Sequence, residues 1–77
     1  MKIKVTYVGF LKLEGIKNKS IVEIDEASTV SDLLNRCKVR ESHQRFIVPI
    51  VNGKQKELSY MLQQDDDLFL HLPMGGG

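Results

Sequence analysis

The residues with the clearest potential for chemistry close this sequence, where Pro73 and Met74 lead into three consecutive glycines, Gly75, Gly76 and Gly77. Glycine is the least ordered residue that a chain can use, and chain ends are commonly frayed. Two interpretations follow. Either this end is under no structural constraint, or the end itself is the working part of the protein.

Other reactive or metal-binding side chains are scattered, and each has an ordinary structural interpretation. Cys37 lies on the apolar stripe of a predicted helix, which favours an inert core thiol over a nucleophile. His43 and His71 lack the Cys-His spacing of a metal site, and we expect His71 to face solvent from a strand. The run Asp65–Asp67 lacks the alternating ligands of a calcium loop, so a solvated turn is expected. No metal site is predicted.

Composition limits the class of protein and of partner. The 77 residues form at most one small domain, and 42% hydrophobic with 27% charged residues is typical of a globular fold. Eleven basic and ten acidic side chains give a net charge of +1, so neither nucleic acid nor a membrane surface is expected as a direct partner. One cysteine, no signal peptide and no apolar run of about 20 residues favour a cytoplasmic protein.

Two strands are predicted at the start of the chain. Apolar residues alternate with polar ones at Ile3, Val5 and Tyr7, and the alternation resumes at Val22 and Ile24. Turn-forming residues lie between the two segments and the connection is short. A hairpin is therefore expected.

The hydrophobic period then changes to that of an amphipathic helix of about three turns. Its apolar stripe comprises Val30, Leu33, Leu34 and Cys37. Thr29 is a suitable N-cap, and Asp32 three residues later forms a relative of the capping box. The polar segment 40–46 is predicted to end the helix.

A further strand is predicted over the β-branched and aromatic segment 46–51. Asn52 and Gly53 follow it and predict a hairpin turn. Pro49 cannot donate a hydrogen bond to a neighbouring strand, so we expect this strand to lie at a sheet edge or to be bulged.

The last predicted strand leads directly to the glycine end. The leucines of segment 68–72 face one side, whereas Phe69 and His71 face the other, and Pro73 ends the strand. One helix must then cover one face of a mixed sheet, with the first and last strands parallel in its middle. The pattern of elements predicts an α+β fold.

Four stretches carry a resemblance to a known family: KIKVTYVGFLKLEG, IDEASTVSDLL, PIVNGK and LQQDDDLFLHLPMGGG. They resemble the sulfur-carrier family of the molybdopterin synthase small subunit and the thiamine sulfur carrier, the MoaD/ThiS family. The last stretch is the most specific, because it joins an acidic turn, an apolar strand, a proline and terminal glycines at fixed spacing. The resemblance implies a β-grasp, ubiquitin-like fold: a mixed four- to five-stranded sheet packed on one helix, over residues 1–74, with a flexible glycine tail over 75–77.

The resemblance also implies chemistry at the terminal carboxylate of Gly77. A partner enzyme adenylates this carboxylate with ATP, and a sulfur donor converts the acyl adenylate to a thiocarboxylate. Gly76 and Gly77 let the tail enter narrow active sites, because they carry no Cβ and are flexible, and Gly75 lengthens the reach of the same tail. ATP is then used by the partner, and the chain binds no cofactor stably. The chain itself would be a carrier without catalytic side chains, or the small subunit of a synthase.

Partners follow from the same resemblance: an adenylating enzyme, a sulfur donor, and a synthase large subunit or a thiazole synthase. The predicted partner-binding residues are Phe69, His71, Pro73 and Met74, at the last strand and the base of the tail. The sulfur would serve molybdopterin synthesis first, with thiamine thiazole synthesis or tRNA thiolation as other outlets. A ubiquitin-like modifier, conjugated to lysines through Gly77, is the alternative function, and an inert β-grasp interaction domain is a third.

An apolar docking patch is predicted on the sheet face that the helix leaves open. Phe69 is expected there, together with Val8 and either Phe46 or Val48. The competing interpretation is a partly covered face with scattered apolar residues, which is common in globular proteins.

Overall fold

The structure, a computed structural model, describes residues 1–8 and 11–73. These ranges contain five strands and two helices. In chain order they are β1 (Lys2–Tyr7), β2 (Ser20–Glu23), α1 (Val30–Arg36), α2 (Glu41–Gln44), β3 (Val48–Val51), β4 (Lys54–Gln55) and β5 (Asp67–His71). Met74 and the three glycines at 75–77, to which the sequence analysis assigns the tail chemistry, lie outside the described residues.

The five strands form a mixed sheet in the order β2-β1-β5-β3-β4. β1 and β5 are parallel, whereas β2 pairs antiparallel with β1, and β3 pairs antiparallel with both β5 and β4. The first and last strands of the chain are therefore adjacent in the interior of the sheet, as the β-grasp prediction requires. The predicted α+β class is confirmed, and the five strands agree with the predicted four to five.

One face of the sheet and helix α1 share a hydrophobic core. Its buried members are Ile3, Val5, Leu13, Ile16, Val22, Ile24, Val30, Leu33, Leu34, Cys37, Ile47, Val51, Leu62, Leu68 and Leu70. The predicted periodicities explain this set, because alternate residues of β1 and β5 and the apolar stripe of α1 point inward. The apolar residues predicted to face the core in the first helix are all buried.

Helix α1 begins as predicted but ends earlier. Thr29 Oγ1 accepts from the Asp32 amide, and an Asp32 carboxylate oxygen accepts from the Thr29 amide, each at 3.0 Å, which completes a capping box. After Arg36 the chain reverses through Lys38, whose φ is +62°. The amide of Val39 donates to the Leu34 carbonyl at 3.0 Å, which is the six-to-one bond of a Schellman C-cap.

Segment 40–46, which was expected to be a polar connection after α1, contains a second helix. α2 is one turn long, and it packs on α1 through the buried amide of Gln44. The Gln44 amide nitrogen donates to Asn35 Oδ1 at 2.6 Å and to the Val39 carbonyl at 2.9 Å, and its oxygen accepts from Ser31 Oγ at 3.0 Å. The predicted helix that packs on the sheet is present as α1, and the one-turn α2 is an additional element that the sequence did not predict. These three bonds satisfy a buried amide that a polarity pattern assigns to the surface.

The strand with Pro49 also differs from its prediction. β3 begins at Val48 and lies between β5 and the two-residue strand β4, so it is not at an edge. The Pro49 carbonyl accepts from the Lys56 amide at 2.9 Å, so its backbone polar atoms face the β4 side and no bond to β5 is lost. The hairpin turn is confirmed, because Asn52 and Gly53 have φ values of 51° and 84°, as a type I′ turn requires.

Cys37 is a core residue, as predicted. Only 1% of its surface is exposed, and it forms the C-cap position of α1. Burial raises the pKa of its thiol, and the nearby Arg36 guanidinium offsets only part of that rise. The thiol is therefore both inaccessible and protonated, which are the properties of an inert cysteine.

We expect Cys37 to resist alkylation in the folded protein. At pH 8, iodoacetamide should label the native chain roughly 100-fold more slowly than the chain in concentrated urea, because labelling requires transient opening of the core. Mass spectrometry after timed quenching measures both rates, and a Cys37→Ser variant controls for reaction at other side chains. Equal rates in buffer and in urea would contradict the buried position.

Candidate functional site at the exit of strand β5

Two predicted partner-binding residues, Phe69 and His71, lie on β5 in the interior of the sheet. Leu68 and Leu70 alternate with them and are fully buried, so Phe69 and His71 face away from the core. Pro73 follows the strand and is exposed. β5 thus carries the chain from the core to the base of the tail.

The sheet face opposite the core carries a cluster of half-buried side chains. We call it the outer patch, and it consists of Thr6, Val8, Val48, Ile50, Phe69 and His71. Phe69 stands between Thr6 on β1 and Ile50 on β3 in the strand register, and His71 stands opposite Val48. Three neighbouring strands therefore contribute to the predicted patch around Phe69. Its role in docking remains a prediction.

Phe46, the alternative to Val48 in the predicted patch, lies elsewhere. It belongs to the turn after α2 and is 58% exposed. The guanidinium carbon of Arg45 lies 5.2 Å from its ring centroid, a cation–π contact. The choice left open by the sequence is thus resolved in favour of Val48.

The two histidines have different surroundings. His71 is half-buried rather than fully solvated, and its ring stacks on Phe69 with a centroid distance of 5.8 Å and an interplanar angle of 29°. His43 is exposed on α2. Within residues 1–8 and 11–73, no group of three His, Cys, Asp or Glu side chains could hold a metal ion. Over the same ranges, no helix has the length and apolar character needed to cross a bilayer.

The acidic turn before β5 was expected to be solvated throughout, but its middle residue is buried. Asp66 is only 5% exposed, although the aspartates on either side of it are exposed. One Asp66 carboxylate oxygen accepts from Asn52 Nδ2 at 2.9 Å. The other accepts from the Tyr60 hydroxyl at 3.1 Å and from the Gln63 amide at 2.8 Å. These three donors hold a buried carboxylate that the sequence pattern assigned to solvent.

Asn52, a donor in the Asp66 network, also holds the start of β5. Asn52 lies in the hairpin turn and forms two hydrogen bonds with Asp67, the first residue of β5. The backbone amide of Asn52 donates to the Asp67 carbonyl, and Asn52 Oδ1 accepts from the Asp67 backbone amide, each at 2.9 Å. Burial raises the pKa of the Tyr60 phenol, and its hydrogen bond and proximity to Asp66 raise it further. Tyr60 therefore remains a protonated donor, and the network anchors the start of the strand that bears the site.

A pocket of about 560 Å³ opens beside the exit of β5. We call it the tail-base pocket. Leu72 and Pro73 line it together with Lys12 from the segment after β1, Arg40 from the segment after α1, and His43 from α2. Sequence reasoning missed this pocket, because its lining comes from segments that are far apart along the chain.

Comparison with solved structures bears on the fold. The crystal structure of SAMP1 from Haloferax volcanii has a TM-score of 0.66 and 19% sequence identity to this chain, over 100% of both chains. A protein from Pyrococcus furiosus assigned as molybdopterin converting factor, subunit 1, has a TM-score of 0.68 and 23% identity, over 95% of this chain and 98% of that one. This chain has the β-grasp fold. No family model and no curated protein matches the sequence.

In this β-grasp chain, two surfaces meet where β5 leaves the sheet. The outer patch lies on the open face of the strand, and the tail-base pocket lies beside the residues that follow it. The outer patch consists of half-buried side chains, and most side chains that line the pocket are half-buried or exposed, so both surfaces can contact a partner. A protein that takes up the residues after Pro73 would lie against these two surfaces.

Proposed function

We propose that this chain is a sulfur carrier, in which the terminal carboxylate of Gly77 is activated by an ATP-dependent enzyme and converted to a thiocarboxylate. One observation carries the proposal. β5 is held in the interior of a β-grasp sheet and leads through the exposed Pro73 directly into Met74 and the glycines. This arrangement supports the proposal, because the buried core ends at Leu70 and does not depend on the residues that follow Pro73.

The proposed chemistry takes place in two steps on the carboxylate. A carboxylate oxygen attacks the α-phosphorus of ATP, so that pyrophosphate leaves and an acyl adenylate forms. A sulfide-level sulfur nucleophile then attacks the acyl carbon and expels AMP, which forms the C–S bond of the thiocarboxylate. The activation is needed because a carboxylate is a poor electrophile that repels nucleophiles, whereas AMP is a good leaving group. The chain's own role is to present the acyl end, and the partner supplies the catalytic groups.

Molybdopterin synthesis is the preferred outlet for the sulfur, with thiamine thiazole synthesis and tRNA thiolation as the other two. The similarity to the Pyrococcus furiosus protein assigned as molybdopterin converting factor, subunit 1, favours this choice. The partners would then be an adenylating enzyme, a sulfur donor and the large subunit of a synthase. The alternative function is a ubiquitin-like modifier, joined through Gly77 to lysines of other proteins, since the same fold and the same activation would serve it.

Intact-mass spectrometry of the protein isolated from its own cell tests the proposal. Replacement of one terminal oxygen by sulfur adds about 16 Da to the mass of the chain. Alkylation of the isolated protein should consume this species, because a thiocarboxylate is nucleophilic. Oxidation of a methionine adds a similar mass, but the resulting sulfoxide does not react with the alkylating reagent. Conjugates of higher mass that contain the chain would instead establish the modifier. A chain found only at its unmodified mass, and not adenylated in the presence of ATP and lysate from the same cell, would refute both.

Phe69→Ala is expected to weaken binding to the activating enzyme by at least about 10-fold, because an aromatic side chain at the centre of a patch is a typical binding hot spot. The matched control is Ile21→Ala, which removes a 66% exposed apolar side chain from the edge strand β2. Titration of labelled variants into the purified enzyme gives both affinities. Wild-type affinity for Phe69→Ala, or an equal loss in the control, would disprove docking through the outer patch.

A further inference from the structure

The tail-base pocket has a one-sided charge. Its polar lining consists of Lys12, Lys38, Arg40 and His43, and its other lining residues are apolar. Among the residues that the structure describes, none of those lining the pocket is acidic. Glu41, in the first turn of α2, is exposed and does not belong to the lining. The pocket therefore combines three cationic side chains with an apolar surface.

This charge is not evident from the sequence, where acidic and basic residues nearly balance, and it arises because several of the acidic residues lie at the other end of the sheet. The Asp65 amide donates to the Lys2 carbonyl, which places the acidic turn at the end where β1 and β5 begin. Asp25 and Glu26 lie at the same end, because they follow Ile24, whose amide donates to the Met1 carbonyl. The pocket lies at the opposite end of β5. A partner with an acidic surface is therefore attracted to the end from which the tail emerges.

The apolar part of the pocket sets a second requirement for an occupant. Phe46 lies on its lining with 58% of its surface exposed, and Leu11, Val39 and Leu72 are only partly buried. Large apolar side chains left open in this way mark a surface that an apolar group can cover. An occupant that satisfies both requirements carries acidic residues on either side of an apolar one.

We propose that the tail-base pocket docks an acidic segment with apolar side chains at its centre, which belongs to the protein that receives the tail. The identity of that protein as the activating enzyme rests on the proposed function, whereas the chemistry of the segment rests on the pocket alone. Carboxylates of the segment pair with Lys12, Lys38 and Arg40, and its apolar side chains cover Phe46 and Leu72. Because Leu72 and Pro73 line the pocket, a bound segment holds the base of the tail at the entrance to the partner's active site.

A synthetic peptide provides the probe. Acetyl-EDLFDE-amide is titrated into the ¹⁵N-labelled full chain, and amide shifts are followed at low and at high salt. We expect shifts confined to the pocket-lining residues, an affinity in the range of about 0.1–1 mM, and weakening as salt screens the charges. The uncharged peptide acetyl-QNLFNQ-amide should bind at least about 10-fold more weakly.

Variants of the chain identify the groups responsible. The double variant Lys12→Glu with Arg40→Glu should weaken peptide binding at least about 10-fold, because it reverses two charges of the pocket. Both side chains are exposed, and the Arg40 side chain makes no capping hydrogen bond to α2, so the fold should be retained. Lys54→Glu on the exposed strand β4 is the control with a charge reversal outside the pocket, and Phe46→Ala tests the apolar part.

Several results would overturn the proposal. These are no binding of the acidic peptide, equal binding of the uncharged peptide, shifts centred outside the pocket, or an equal loss in Lys54→Glu. Tighter binding of an oligouridylate to the same residues would show that the pocket serves RNA instead. The peptide titration does not involve the carboxylate of Gly77. A failed titration therefore refutes the pocket proposal alone, and the absence of a thiocarboxylate refutes the proposed function alone.

Discussion

Deletion of Gly77 is expected to abolish adenylation and thiocarboxylate formation without lowering the thermal unfolding midpoint. The deletion leaves a carboxylate on Gly76, but it shortens the tail by about 3.5 Å. A displacement of that size should slow the attack on ATP at least about 100-fold, because the reacting atoms must lie in near contact. The buried core extends from Ile3 to Leu70, so stability should not change.

A length-matched variant separates reach from glycine content. Gly75→Ala keeps the number of residues and the terminal carboxylate, and we expect it to retain most of the activity that the deletion loses. Pyrophosphate release with the purified activating enzyme measures the reaction, and circular dichroism measures the unfolding midpoint. Full activity after deletion of Gly77 would refute the proposal that this carboxylate is placed by the length of the tail. Equal losses of activity in both variants would instead assign Gly75 a role in the flexibility of the tail.

Asp66→Ala is expected to lower the free energy of unfolding by about 2–3 kcal/mol, because it removes the buried acceptor of three hydrogen bonds. Part of the loss is offset by water, since Asn52 and Gln63 lie at the surface. Asp66→Asn should cost less than the alanine variant. The asparagine side chain keeps one oxygen that can accept from Tyr60 and Gln63. Its NH2 group, however, faces the Asn52 side-chain amide, which is also a donor, so that hydrogen bond is lost. Urea unfolding followed by circular dichroism measures both differences.

The matched control is Asp67→Ala, which removes an exposed carboxylate from the next residue. We expect it to change the free energy of unfolding by less than about 0.5 kcal/mol. If Asp66→Ala and Asp67→Ala are equally stable, the network does not anchor β5. A further expectation concerns function. Because the network includes Asn52, which holds the start of β5, Asp66→Ala should also weaken binding at the outer patch under conditions where the variant is folded.

Local patterns predicted most of the elements in this chain. The alternation at Ile3 and Val5, the capping box of Thr29 and Asp32, and the Asn52 turn each depend on residues within a few positions of one another, and all three are confirmed. Period and turn chemistry are properties of a short window, so a sequence reveals them directly.

The errors lie where a side chain bonds to a distant part of the chain. Gln44 was assigned to a polar segment because its partners on and after α1 are set by how two helices pack. The pattern assigns Asp66 to solvent because its partner Asn52 lies 14 residues away, in the turn between β3 and β4. The early end of α1 has a different cause. Lys38 adopts the left-handed conformation that ends the helix, and glycine at that position is the residue that would have indicated a helix end in the sequence.

The sequence by itself determined the α+β class, the parallel pairing expected of its first and last strands, the inert character of Cys37, and the glycine end to which we assign the chemistry. Only the tertiary structure decided which side chains surround the base of that end. It brought three cations into one pocket and moved the acidic turn to the other end of the sheet. The physical reason is that periodicity acts between neighbours in sequence, whereas charge and apolar surface act between neighbours in space, and those neighbours exist only once the sheet has closed around β5.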